Sequence, residues 1–222
     1  LKEPHHLRDH YNEDRELMLT FEAFVKETAD AGGAINTLFE EQLFALVGTL
    51  ERIAKPLAAE KIPYELIGGG AVMVHVNRID SSAVRNTKDV DIMVHRADLE
   101  RVKEVAAQHG FTFRHVAGVD MLMPHGETKA RNAIHMVFTG ERVRPNQAVP
   151  NPPLNPEQFS IHGVEVAVIS VLDLVQMKLS NNRDIDRVHV DDMDLVGLIT
   201  PEVERVLPAL LHTRLQEIRS NR

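Results

Sequence analysis

The chain has 222 residues, of which 43% are apolar and 26% charged, with 25 basic against 33 acidic side chains and a formal net charge of −8. This is the profile of a globular protein rather than a disordered one, and it offers no bulk positive field to draw in nucleic acid. The absence of cysteine excludes a disulfide framework, a thiolate metal site and a cysteine nucleophile. No apolar run approaches the ~18 residues of a membrane span. The polar, His-rich first ten residues do not resemble a secretory signal, so a cytoplasmic location is the default expectation. A local basic groove stays open, because Arg131, Arg142 and Arg144 cluster in the sequence.

In chain order, residues 1–12 lack periodicity and read as a loose arm. Leu17, Phe21, Phe24 and Val25 fall at helical spacing and predict a helix over 13–31, stopped by Gly32-Gly33. A second helix is expected over 37–60, with a stripe of Leu38, Leu43, Leu46, Leu50, Ile53 and Leu57 and a kink at Pro56. Both helices are expected to pack on the sheet that follows. Tyr64-Glu65-Leu66-Ile67 reads as a short strand running into Gly68-Gly69-Gly70, after which 71–76 resumes as helix and 77–87 as a polar loop. Residues 89–94 alternate with period two and predict a strand. A helix over 98–109 follows, with Asp98 as its N-cap and Gly110 as its stop, then strands over 111–116 and 133–138. Pro145, Pro150, Pro152, Pro153 and Pro156 mark an ordered loop or arm that excludes helix and central strand. Beyond it come a strand over 164–169, a helix over 171–179, a polar hinge over 183–187, and helices over 191–198 and 201–218. The pattern is that of an α/β (α+β) fold, a mixed sheet flanked by helices. We divide it into an N-terminal arm and helices (1–62), a core (63–145), and a connector with the last strand and C-terminal helices (146–222).

Two features carry chemistry. Asp89 and Asp91 are two apart on a strand, so both carboxylates leave the same face while Val90 and Ile92 point into the core. Like charges that close call for a cation, and a hard divalent ion with oxygen ligands suits them. A solvated strand end carrying two inert acids is the alternative. The second feature is the glycine run between strand and helix. It lets an anion approach backbone N–H groups at a helix start, although a simple tight turn would use the same residues.

Taken in order, Ile67-Gly68-Gly69, then Arg85-Asn86-Thr87, then Asp89-Val90-Asp91 resemble the nucleotidyltransferase superfamily that includes the beta-type DNA polymerases. The chain looks especially like the bacterial branch of AbiEii-type toxins and their relatives. Residues 170–179, with Lys178, and the later Arg183, Asp184, Asp186, Asp191 and Asp192 look like that branch's C-terminal helical signature. The resemblance spans residues 64–198. It implies a nucleotidyltransferase-type mixed sheet and transfer of a nucleoside monophosphate from a nucleoside triphosphate, with Mg²⁺ or Mn²⁺, to a hydroxyl acceptor. RNA, a protein side chain and a small molecule all remain open as that acceptor. By the same resemblance Gly68, Gly69, Arg85 and Thr87 touch the nucleotide, Asp89 and Asp91 hold the metal, and Lys178 neutralises phosphate charge. For Lys178 the alternative is a solvated helix position beside Asp173, and for Arg85 a simple pairing with an acid. A cognate antitoxin or a second copy of the chain are the partners implied.

One position departs from the family pattern. The third carboxylate, expected on the strand over 133–138, is His135. Imidazole is a poor Mg²⁺ ligand, is acceptable to Mn²⁺ or Zn²⁺, and can act as a base near neutral pH. His135 therefore replaces the acid as base, shifts the metal preference, or marks a nucleotide-binding member without catalysis. A strand histidine with no role is the fourth reading. The acids at 184, 186, 191 and 192 are expected to form a salt-bridged helix junction with Arg183 and Arg187.

Overall fold

The computed structural model describes residues 34–85, 87, 89–127, 132–161 and 163–222, with side chains described from Val47 onward. The arm over 1–12, the helix expected over 13–31 and Arg131 lie outside the described residues. The chain divides into two compact units, residues 1–41 and 42–222, and the sheet belongs to the second. In chain order the elements are α1 (Ala34–Ala59), β1 (Tyr64–Ile67), α2 (Gly68–Ile79), β2 (Val90–Val94), α3 (Leu99–Gln108), β3 (Phe111–Val116), β4 (Val119–Pro124) and β5 (Ile134–Phe138). They continue with β6 (Pro156–Ile161), β7 (Val164–Ile169), α4 (Val171–Asn181), α5 (Asp184–Leu195), α6 (Pro201–Arg205) and α7 (Ala209–Ser220).

The described strands form one seven-stranded mixed sheet in the order β3-β4-β5-β2-β1-β7-β6. β1 lies inside it, antiparallel to β2 and parallel to β7, and all four of its residues are buried. β2 is parallel to β5. Hairpins β3–β4 and β6–β7 close the two edges. Apolar residues of the strands and of one face of each long helix make the core: Leu66, Ile92, Met93 and Ile134 from strands, Leu50, Ile53 and Leu57 from α1, and Leu174, Val190 and Leu211 from later helices. Each such side chain contributes about 1.5–3 kcal/mol on burial. Among the described residues no helix is long and apolar enough to cross a membrane.

Several elements differ from the sequence expectation, each for a local reason. The glycine run is not a loop before a helix. It is the first turn of α2, which starts at Gly68. β4 was not expected; a two-residue turn with positive φ at Ala117 (51°) and Gly118 (79°) folds it back on β3, the backbone that suits the right-handed twist of a hairpin. Pro156 opens β6, an edge strand, where the missing N–H does no harm. Asp98 does not cap α3 through its side chain. It sits in a 3₁₀ turn at φ −90°, ψ −1°, not in extended backbone, and accepts from Arg101 at 2.9 Å instead. Most of the expected hinge over 183–187 is the opening turn of α5: Asp186 accepts from the Arg183 backbone N–H and guanidinium, which fixes the helix start. The expected helix over 201–218 divides at Pro208, which has no N–H to continue it.

One buried acid ties the proline-rich connector to the sheet. Glu65 of β1 is fully buried and accepts the Asn155 backbone N–H on Oε1, and among the described residues Oε2 has no partner. Burial, with a smaller contribution from Asp173, pushes its carboxyl up to about 7 against the Asn155 hydrogen bond. The folded state therefore keeps a proton that the unfolded chain releases near pH 4.5, so stability falls as pH rises from there to about 7 and is level above. Glu65→Gln should remove this slope and raise the melting temperature at pH 8 but not at pH 4.5. Thermal melts of both proteins across that range check it.

Candidate functional site

The site begins where β1 ends. Ile67 pairs in register with Asp91 of β2, and the chain then turns into α2 through Gly68 at φ +67°. A Cβ on Gly68 would collide with Asp91 Oδ2, with Asp91 Cγ only 3.0 Å away. One on Gly69 would meet Thr87 Oγ1 at 2.8 Å and His189 Cε1 at 3.6 Å. The two glycines thus bring the N-terminus of α2 against the residues leading into β2. No side chain caps this helix, and its first turn holds no acid. Its leading N–H groups and positive dipole end face the site without a built-in anion.

Asp89 lies just before β2 and is exposed; Asp91 is half-buried. On its other side Asp91 is in register with His135 of β5, and His135 Nδ1 lies 3.3 Å from Asp91 Oδ1. The row continues across the sheet, His135 facing Met121 of β4 and Met121 facing Arg114 of β3. Beyond Met121 the sheet face opens into a cavity of about 610 Å³ whose lining includes Thr112, Arg114, Val116, Met121 and Met123. Strand spacing puts Met121 about 10 Å from Asp91.

Helices α4 and α5 supply the opposite side. Lys178 is buried, and its Nζ lies 3.1 Å from Asp186 Oδ1, an acid with no exposed surface. Arg183 donates to both Asp186 oxygens, at 2.6 and 3.0 Å. Burial would raise the Asp186 carboxyl, but the hydrogen bond from Arg183 and the charges of Lys178 and Arg183 hold it below the usual range. Burial lowers the Lys178 ammonium against the pull of Asp186, with Asp91 a further, weaker attraction. Arg85, largely exposed, donates to Asp192 Oδ2 at 2.6 Å. His189, which feels the charges of Lys178, Asp186, Arg183 and Arg85, is buried, and among the described residues its Nδ1 has no partner.

The structure thus draws together Gly68, Gly69, Thr87, Asp91 and His135, while Asp89, expected on the strand, lies one residue before β2 and is exposed. It removes the solvated-helix reading of Lys178, whose partner is Asp186 rather than Asp173. Arg85 shows the acid pairing that was its alternative. The expected helix junction is only partly internal: Asp186 pairs with Arg183, but Asp192 reaches Arg85 and Asp191 reaches Arg222. Sequence reasoning missed His189 as a residue beside the glycine turn and Asp186 as the partner of Lys178. Their signal was present, since an acid and a histidine three apart fall on the apolar stripe with Val190 and Met193.

Two carboxylates are hard oxygen donors of the kind Mg²⁺ or Mn²⁺ takes, and His135 beside them is the softer alternative. Among the described residues no group of three or more His, Asp or Glu side chains is arranged to hold a metal by itself. A divalent ion at Asp89 and Asp91 would therefore complete its shell with ligand oxygens and water, which suits Mg²⁺ arriving with a phosphate chain.

The sheet order and its flanking helices are those of the nucleotidyltransferase fold. The crystal structure of ANT(2'')-Ia in complex with adenylyl-2''-tobramycin aligns with a TM-score of 0.51 at 12% identity, covering 79% of this chain and 97% of that one. An antigenic nucleotidyltransferase-like protein from Paracoccidioides brasiliensis aligns with a TM-score of 0.52 at 16% identity, over 80% and 88% of the two chains. At such identities the likeness is one of fold. The sequence itself goes further: residues 34–179 match the family described as "Uncharacterised nucleotidyltransferase", and the chain belongs to that family. A search of curated proteins finds no match.

Two substitutions test this geometry. Gly68→Ala should destabilise the protein by about 1–2 kcal/mol for the left-handed backbone alone, with the collision at Asp91 added, as urea denaturation would show. Asp186→Leu should destabilise by about 3–5 kcal/mol because it leaves the buried Lys178 ammonium without its carboxylate. Combining it with Lys178→Met should recover part of that loss in the same measurement.

Proposed function

We propose that this protein transfers a nucleoside monophosphate from a nucleoside triphosphate to a hydroxyl on an acceptor. The observation that carries the reading is the packing of Gly68 on Asp91 and of Gly69 on Thr87, which sets an uncapped helix N-terminus beside the Asp91 carboxylate. Such a site has donors for a phosphate chain on one side and oxygen ligands for a divalent ion on the other. Gly68, Gly69 and Thr87 bind the triphosphate, and Asp89 and Asp91 hold Mg²⁺ or Mn²⁺. When bound, the ion neutralises phosphate charge and aligns the attacking and leaving oxygens. Lys178 and Arg183 add positive potential from the α4–α5 side, and Arg85 turns from Asp192 toward phosphate.

In the reaction the acceptor oxygen bonds to the α-phosphorus as the bond from that phosphorus to the bridging β-oxygen breaks. Pyrophosphate leaves and the hydroxyl proton passes to a base, a role His135 takes from its position beside Asp91. We infer that the acceptor is a small amphipathic molecule. The cavity beyond His135 supports this: its size is that of a small-molecule site, and methionines give it an adaptable apolar floor. The acidic balance of the chain favours a small acceptor over a long RNA. The meeting of Lys178, Arg183 and Asp186 supports placing the chain near the AbiEii-type branch. His135 in place of an acid favours the second reading, a nucleotide-binding member without turnover, acting through a protein partner such as a cognate antitoxin.

Incubation with each α-labelled nucleoside triphosphate, Mg²⁺ or Mn²⁺, and panels of hydroxyl-bearing small molecules and RNA decides between them. Transfer by the wild type that falls to background in Asp89→Ala/Asp91→Ala is the expected outcome. Nucleotide binding without transfer to any acceptor would establish the second reading in its place.

A further inference from the structure

His189 sits at the glycine turn with one ring nitrogen that has no partner among the described residues. It is 9% exposed, its Nδ1 is buried with no hydrogen bond, and its ring edge approaches Gly69, whose absent Cβ would lie 3.6 Å from Cε1. A buried polar nitrogen left unpaired costs about 1–3 kcal/mol, so its retention beside an uncapped helix start points to a ligand that completes it. The charged groups acting on the ring come from three segments of the chain. They are Lys178 on α4, Arg183 and Asp186 at the head of α5, and Arg85 from the segment entering β2. Arg85 is itself paired with Asp192.

We propose that His189 is a ligand of the bound triphosphate and that it takes up one proton from solvent as the nucleotide binds. The inference rests on the nucleotide reading of Gly68 and Gly69 and extends it to a residue and a proton that reading does not need. In the unliganded protein, burial above all and then the Lys178 charge push the imidazole down to about 4, Asp186 opposing and Arg183 and Arg85 adding to the effect. The ring is therefore neutral near pH 7. A phosphate chain at the N-terminus of α2 reverses the sign of the local field. It also offers an anionic acceptor to the N–H that protonation creates, and both favour imidazolium. The bound state then holds more protons than the free state. Affinity must rise as pH falls from the raised value of the complex toward about 4.

The test is calorimetric titration of the full chain with the α,β-methylene analogues of the four nucleoside triphosphates and Mg²⁺, at pH 7, in buffers of different ionisation enthalpy. The wild type should take up roughly half to one proton per nucleotide beyond the His189→Gln variant, which should bind roughly tenfold more weakly. Equal proton uptake by the two proteins overturns the proposal. An independent readout needs no variant: the ¹⁵N shifts of the His189 ring should move from neutral to imidazolium values when the analogue is added. A ring that stays neutral in the saturated complex overturns the proposal while leaving the nucleotide reading intact. A wild type that binds none of the four analogues overturns both.

Discussion

The site depends on one close approach, the backbone of Gly68 against the carboxylate of Asp91. The antiparallel pairing of β1 with β2 puts Ile67 opposite Asp91, so the first residue after β1 arrives beside that carboxylate with no room for a side chain. Its positive φ turns the chain into α2 at that point. The result is a helix N-terminus, electropositive and uncapped, next to a strand end that is electronegative. Together they match a phosphate chain that carries a cation, because each part of such a ligand meets charge of the opposite sign.

The α4–α5 layer answers the same demand with buried charge. Replacing buried ion pairs with apolar residues is often neutral or stabilising, so the Lys178–Asp186–Arg183 group is weak evidence for stability. What it does is place cations close enough to Asp91 to feel it while one carboxylate fixes their positions. Asp186 also starts α5, which carries His189 over Gly69. A single acid therefore orients two cations and the helix that completes the site.

The strand–glycine–helix order was legible because it is a local pattern, and Asp91 falls on β2 as expected while Asp89 lies one residue before it. β4 was not, since Val119–Pro124 lacks a run of β-branched residues and its turn hides a positive φ in Ala117. β6 was masked by its proline, harmless only because the strand lies at an edge, a fact of topology. Asp98 failed as a cap because a 3₁₀ turn set its backbone. Lys178 shares a helical stripe with Leu174 and Val175, and its burial was readable there. Its partner was not, because that depends on how α5 folds back on α4.

His135 is where topology and chemistry meet most directly. β5 runs parallel beside β2, so the residue in register with Asp91 must share its face of the sheet. A third carboxylate there would concentrate three negative charges in one row, which only a cation could hold together. An imidazole removes one of those charges and puts Nδ1 3.3 Å from Asp91 Oδ1, within reach of a weak hydrogen bond that partly satisfies the acid without any ion. On the proposed reading, a divalent cation beside Asp91 would be held less strongly than by three carboxylates. A phosphate chain would then supply more of its ligand field, which would tie metal capture to nucleotide capture.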